Sequence, residues 1–292
     1  MLNHEQSFIY KTRLLFQLVR WPNLLIILIT QYLSAVCLVK QSDPPLSIIL
    51  DPFLLLVCLS TILTAAAGYI INDYYDIKID YLNKPERVII GKDLNRREAL
   101  IVHLVISFAG IIIGFFAGWV IGLTAIIATF LLWLYSNLLK RLPFLGNFTI
   151  GMLTAISLLI VNFYYKENSS LVIAYSFFGF FITLIREIIK DIEDLKGDQT
   201  FGCKTIPILW GIRKTKMFIL FLILIFVVLF MMITLSYNIP SLYFYLLFIA
   251  LVLIYFIRKL VLADTRSEFK ELSRLAKLLM VLGIVSIAFF KF

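Results

Sequence analysis

Nine stretches of this chain stay apolar long enough to cross a lipid bilayer, at about 22–39, 52–72, 99–118, 120–136, 148–164, 171–189, 217–236, 241–257 and 275–290. A helix needs roughly 20 such residues to span the hydrocarbon layer. Backbone amides in lipid must pair internally, so only helices and closed barrels cross it, and continuous apolar runs lack the alternation of a barrel strand. Nine spans of roughly 20 residues consume about 180 positions of the 292. Little chain is left for a separate soluble domain. Composition agrees: 61% of residues are hydrophobic and 15% are charged, with mean hydropathy +0.96, whereas soluble domains carry about 25% charge. The expectation is an all-α polytopic membrane protein of about nine transmembrane helices in a single bundle. Residues 1–292 form one domain, with 1–20 as a cytoplasmic N-terminal segment. No small-residue cleavage site follows the first apolar run, so that segment reads as retained.

With nine spans, 24 of the 27 Lys and Arg fall on the side that holds the N-terminus. Lys40, Lys166 and Lys291 are left on the other. Loop charge of this asymmetry places the basic side in the cytoplasm of a cell (inner) membrane. The net charge of +9 is then a basic face beside anionic headgroups, and no soluble surface remains for a nucleic acid. Cys37, Cys58 and Cys203 are scattered and odd in number, which excludes a disulfide framework or a cysteine metal site. His4 and His103 are far apart and read as surface or interfacial residues. The long polar loops 73–98, 187–216 and 258–274 all lie on the basic side, which places function there.

Two of these loops begin with acid clusters. "NDYYDIKID" puts Asn72, Asp73, Asp76 and Asp80 at the end of the second span, and Pro85 requires that helix to stop by Lys84. "REIIKDIEDLKGD" puts Asp191, Asp194 and Asp198 on one narrow helical face after the sixth span, with Glu187 one turn earlier. Glu193 points away, and Gly197 offers a turn. The clusters follow spans of the same direction four helices apart, the pattern of a parallel repeat, so they are expected to face one another. Carboxylates packed at a membrane boundary repel and are poorly solvated. A hard cation offsets both costs, and Mg2+ takes one or two carboxylates together with water and phosphate oxygens. The pattern therefore predicts a Mg2+-bridged diphosphate site, with Arg87, Lys140, Arg186 and Lys190 as its cations.

At these residues the chain resembles the UbiA family of intramembrane prenyltransferases. Asn72, Asp73, Asp76 and Asp80 match its motif N-D-x-x-D-x-x-x-D, and Asp191, Asp194 and Asp198 match D-x-x-D-x-x-x-D. "YSNLLKRLPFLGN" is similar to the loop after the family's fourth span through Tyr135, Ser136, Lys140, Gly146 and Asn147. The resemblance covers about 20 to 290. It implies a bundle with a central cavity opening to the cytoplasmic side, and transfer of a prenyl group from an allylic prenyl diphosphate, geranylgeranyl or similar, to a lipophilic acceptor. It also implies that Asn72, Asp76, Asp194 and Asp198 hold Mg2+, that Asp73, Asp80 and Asp191 line the same cavity, and that Arg87, Lys140 and Lys190 grip the diphosphate. Tyr135 and Tyr75 are the aromatic candidates beside the allylic cation.

The segment "NKPERVIIGK" departs from the R-P-I-P-S-G ending frequent in quinone-pathway members, and the acid motifs look more like the enzymes that make digeranylgeranylglyceryl phosphate. The preferred acceptor is thus the hydroxyl of a (geranylgeranyl)glyceryl phosphate. An aromatic acceptor of the 4-hydroxybenzoate or dihydroxynaphthoate type is the alternative. A CDP-alcohol phosphotransferase needs an Asp-Gly pair, which the chain lacks. A cation transporter, the alternative of another class, places its acids nearer mid-membrane. No obligate protein partner is implied. Loop 81–98, long and next to the first motif, is expected to act as a lid.

Overall fold

The computed structural model describes residues 4–237 and 240–291. It is all-helical: α1 (His4–Leu18), α2 (Trp21–Ser34), α3 (Pro45–Ile49), α4 (Pro52–Asn83), α5 (Arg96–Ala117), α6 (Trp119–Asn137), α7 (Leu145–Tyr165), α8 (Ser170–Glu193), α9 (Leu195–Thr200), α10 (Ile206–Tyr237), α11 (Pro240–Leu262) and α12 (Arg266–Ser286). A π turn, Ala35–Val39, extends α2. Among the described residues the extended pairing amounts to one isolated bridge, Ile90 with Leu94. Among the described residues, eight segments are long and apolar enough to cross a membrane. The remaining expected span, 241–257, lies in the 23-residue α11, several of whose side chains lie outside the described residues.

The helices gather into two compact units. The first comprises Met1–Ile29 and Pro52–Leu138, and the second Thr30–Asp51 and Leu139–Phe292. One acid cluster falls in each.

In the first unit α4 packs along α5 and α6 on small residues. Ser60 Oγ donates to Gly110 O at 2.8 Å. A Cβ at Gly110 would lie 3.2 Å from Leu63 Cβ and 3.3 Å from Thr64 N, so a side chain here would press the two helices apart by a few tenths of an ångström. Small residues of this kind let membrane helices close on one another where the hydrophobic effect gives no drive. His103, expected near the surface, is instead buried in this seam, with Nδ1 3.0 Å from Ala67 O. A carbonyl partner requires the proton on Nδ1, so the ring uses its donor where no water reaches. The N-terminal segment is helical as α1, and it is held by Leu18 in a cluster with Ile70, Ile90 and Ala99. Ile90 belongs to the loop expected to act as a lid; at 1% exposure it anchors that loop into the unit.

In the second unit α8 is the central helix, packed by α7, α10 and α12. Ile185, Ile188 and Ile189 of α8 are buried against Ile219, Phe256, Leu260, Phe269, Leu272 and Ala276. A polar clasp closes the end opposite the acids. Tyr164 and Tyr165 both donate to Asp51 Oδ2, at 2.8 and 3.2 Å, and Lys40 pairs with Glu167 at 3.0 Å. The three cysteines are buried, and none is in a disulfide. α12 begins at Arg266, nine residues before the expected span, on a capping box formed by Thr265 and Glu268. α10 begins at Ile206 and breaks at Gly211, whose φ of 75° a side chain disfavours.

Candidate functional site

In the first unit the apolar run and the acid stripe form one continuous 32-residue helix, α4, that ends at Asn83 just before Lys84 and the Pro85–Arg87 turn. At about 100° per residue, Asn72, Asp73, Asp76 and Asp80 fall within an arc of about 100°. All four are half-buried, and Asp73, Asp76 and Asp80 are close enough to repel one another. Arg20 answers part of that repulsion. Its Nη2 lies 2.7 Å from Asp73 Oδ1, and its guanidinium stacks 4.9 Å over the Tyr69 ring. Asn23 Nδ2 also donates to Tyr69 Oη at 3.3 Å. Arg20 adopts φ 54°, in the left-handed region, at the junction of α1 and α2. Such backbone strain is kept where the surroundings require it. Sequence reasoning counted Arg20 only as topological charge; the turn before "WPN" was its one signal. Tyr75 stands about 60° off the acid stripe and meets Tyr74 edge-on at 5.4 Å. The side chain of Arg87 lies outside the described residues.

In the second unit the acids do not ride on one uninterrupted helix. α8 ends at Glu193, Asp194 turns at φ −96° and ψ 6°, and α9 carries Asp198. The ladder survives the turn, since Asp194 N donates to Lys190 O at 2.8 Å and Asp198 N to Asp194 O at 3.1 Å. Glu193, expected to point away, is buried. Gly197 is buried inside α9, and the chain reverses at Gly202 instead, with φ 74°. Asp191 Oδ2 accepts from Asn147 Nδ2 at 2.8 Å, and Asp194 has Arg266 at 4.0 Å.

Asn147 is placed by its neighbour. A Cβ at Gly146 would meet Lys140 Cα at 2.7 Å and Leu139 O at 3.0 Å. The start of α7 thus rests directly on the turn that bears Lys140. Lys204 N donates to Arg141 O and Cys203 N to Asp198 O, so the same turn adjoins the α9 segment. Arg186 and Lys190 converge on Glu187, at 3.0 and 2.8 Å. Tyr135 lies near the end of α6 in the first unit, half-buried, with Ser136 buried beside it.

Among the described residues no group of three His, Cys, Asp or Glu is arranged to hold a metal ion. Each unit offers carbonyl and carboxylate oxygens, with Asp73 held by Arg20 and Asp191 by Asn147. That donor set fits Mg2+, which takes one or two carboxylates and completes its shell with water and substrate phosphate oxygens. It does not form a closed protein cage.

Compared with known proteins, residues 27–281 match the UbiA prenyltransferase family. The digeranylgeranylglyceryl phosphate synthase of Methanosphaera stadtmanae is 33% identical over 234 residues, 79% of this chain and 85% of that one. The enzyme of the same name from Methanobrevibacter smithii is 32% identical over 216 residues, 72% of this chain and 73% of its own. A solved structure concerning digeranylgeranylglyceryl phosphate synthase aligns over 97% of this chain and 99% of that chain, with TM-score 0.68 and 25% identity. A UbiA homolog from Archaeoglobus fulgidus bound to GPP and Mg2+ covers 94% and 99%, with TM-score 0.64; its 17% identity speaks to the fold alone. An all-helical membrane architecture, two acid motifs on helix ends and a family match over most of the chain lead to one conclusion. This chain is an integral-membrane prenyltransferase and belongs to the UbiA prenyltransferase family.

Proposed function

We propose that this prenyltransferase moves a prenyl group from an allylic diphosphate to the free hydroxyl of a prenylated glyceryl phosphate, with Mg2+ as cofactor. The observation that carries the acceptor is the likeness to digeranylgeranylglyceryl phosphate synthases, which extends over 79% of the chain in one case. In this reading residues 1–292 act as one prenyltransferase domain that works from the cytoplasmic face of the cell membrane. The 24 to 3 division of Lys and Arg supports that orientation.

Asn72, Asp76, Asp194 and Asp198 are the residues that would hold the metal. When bound, Mg2+ neutralises charge on the departing diphosphate. Asp73, Asp80 and Asp191 shape the same polar surface, Asp73 steadied by Arg20 and Asp191 by Asn147. Lys140, Lys190 and Arg87 hold diphosphate oxygens, and Tyr135 offers a ring face to the allylic carbon. The allylic C–O bond breaks and its electron pair leaves with diphosphate. A lone pair of the acceptor oxygen then forms the new ether bond, and the hydroxyl proton passes to a basic oxygen or to water. A water-poor apolar surround keeps the cation from being hydrolysed.

Purified protein with labelled geranylgeranyl diphosphate and a panel of acceptors tests this. Product is expected with the glyceryl phosphate lipid in the presence of Mg2+, and none after chelation. Asp76→Ala and Asp194→Ala should each abolish turnover while the protein remains folded. Product formed only with an aromatic acid would reject the acceptor, and substantial activity in both variants would reject the metal assignment.

A further inference from the structure

Arg186 lies within a segment built to span the membrane, Ser170–Glu193. A guanidinium there is expensive, and its presence calls for a function. Its Nη1 donates to Glu187 Oε1 at 3.0 Å, but its Nε is buried with no acceptor. Three residues earlier Thr183 is only 4% exposed, and its hydroxyl also lacks a partner. A buried donor left unmade costs on the order of 1–3 kcal/mol, so two on adjacent turns of one helix point to an absent acceptor. Residues 183, 186, 187 and 190 stand at i, i+3, i+4 and i+7 and share a face. It is opposite the isoleucines buried in the core of the unit.

The charge on this face is positive. Arg186 and Lys190 share the one Glu187 carboxylate, and Lys277 of α12 adds a like charge felt at Arg186. An anion with several oxygens fits both the unused donors and the cation excess. The Nε edge of a guanidinium, which the Nη1 bond to Glu187 does not use, is the edge that takes phosphate in a bidentate grip.

Position along the helix separates this anion from the donor diphosphate. Arg186 precedes Asp191 by five residues and Asp194 by eight, or about 8 and 12 Å along an axis rising 1.5 Å per residue. Lys190 is the cation nearer the acids. A glyceryl phosphate carries its phosphate and its reacting hydroxyl on neighbouring carbons. Its phosphate must therefore bind close to the point where the new ether bond forms, below the diphosphate and its metal. We propose that Arg186 and Thr183, with Lys277, seat the phosphomonoester of the acceptor lipid. This rests on the acceptor class proposed above, and it moves Arg186 from the donor to the acceptor.

The test uses the full chain in detergent with two acceptors, the phosphorylated glycerol monoether and the same molecule without its phosphate. Wild type should prefer the phosphorylated acceptor. Arg186→Gln should raise the KM for that acceptor ~10- to 100-fold, the equivalent of one charge-assisted hydrogen-bond set. It should leave the donor KM within about twofold and erase the preference between acceptors. Arg186→Lys should restore part of the preference, and Thr183→Val should weaken it in the same direction. A raised donor KM, or equal loss with both acceptors, overturns the proposal. Should Arg186→Gln not fold, Thr183→Val decides by the same criterion. Wild type that uses only an aromatic acceptor refutes the function and this site together; wild type that uses the phosphorylated lipid while Arg186→Gln is unaltered refutes this site alone.

Discussion

Asn147 gives the sharpest test of how the second acid motif is held. Its amide donates to Asp191 at 2.8 Å, and the residue is 7% exposed. The Asn147 amide is thus shielded from water, while Asp191 stays partly exposed. A hydrogen bond to a charged group contributes roughly 1.5–3 kcal/mol, and leaving a buried partner unsatisfied costs a similar amount. Asn147→Leu keeps the branched shape of the side chain, at somewhat larger volume, and removes the amide with its donor. It should lower stability by about 1.5–3 kcal/mol. If instead Asp191 turns away to find another donor, the same energy appears at the site as a roughly 10- to 150-fold loss of diphosphate affinity. Asn147→Ala adds a cavity and should be worse in stability but no worse in affinity. Thermal unfolding in detergent and a diphosphate-release assay with varied donor read the two terms separately. If Asn147→Leu leaves stability within about 0.5 kcal/mol and the donor KM unchanged, Asn147 does not position Asp191.

Arg20 combines a strained backbone with an ion pair, and two substitutions part them. Both Arg20→Ala and Arg20→Gly lose Asp73, but glycine accepts φ 54°, so the glycine variant should be the more stable by about 1 kcal/mol in thermal unfolding. The reverse order would show that the junction of α1 and α2 relaxes when Asp73 is released. Gly146→Ala should cost about 1–3 kcal/mol through overpacking, because its Cβ meets Lys140 Cα at 2.7 Å and Leu139 O at 3.0 Å. Displacement of Lys140 should also raise the donor KM. A variant with wild-type melting and wild-type KM would remove Lys140 from the diphosphate.

What the sequence made legible is what hydrophobic length and helical spacing encode. Eight of the nine apolar spans, the end of α4 before Pro85 and the single stripe of Asn72, Asp76 and Asp80 are local properties, and each is found among the described residues. Features made by tertiary packing were not legible. α1 is short and polar, and Leu18 buries itself only because Ile70 and Ile90 come to it. The first turns of α12 were hidden by Arg266, Lys270 and Arg274, which break an apolar run without breaking a helix; the Thr265–Glu268 capping box was the readable sign. His103 looked like a boundary residue because its acceptor, Ala67 O, is a backbone atom that no pattern reveals. The turn at Asp194 and the grip of Arg20 on Asp73 likewise depend on neighbours remote in sequence.

The second unit is discontinuous in the chain, and this sets an order of events during synthesis. Its first segment, Thr30–Asp51, finds its partners far downstream. Gln31 waits 126 residues for the carbonyl of Ser157, and the carbonyl of Leu38 waits 131 for the hydroxyl of Ser169. At ~5–20 residues per second, that delay is about 6 to 26 s. For this interval a helix bearing Gln31 and Ser34, both buried in the finished protein, stands in the bilayer before the wall that will cover it exists. Insertion factors that shield polar membrane helices have their longest task here, and slowing translation between residues 52 and 157 should lengthen it in proportion.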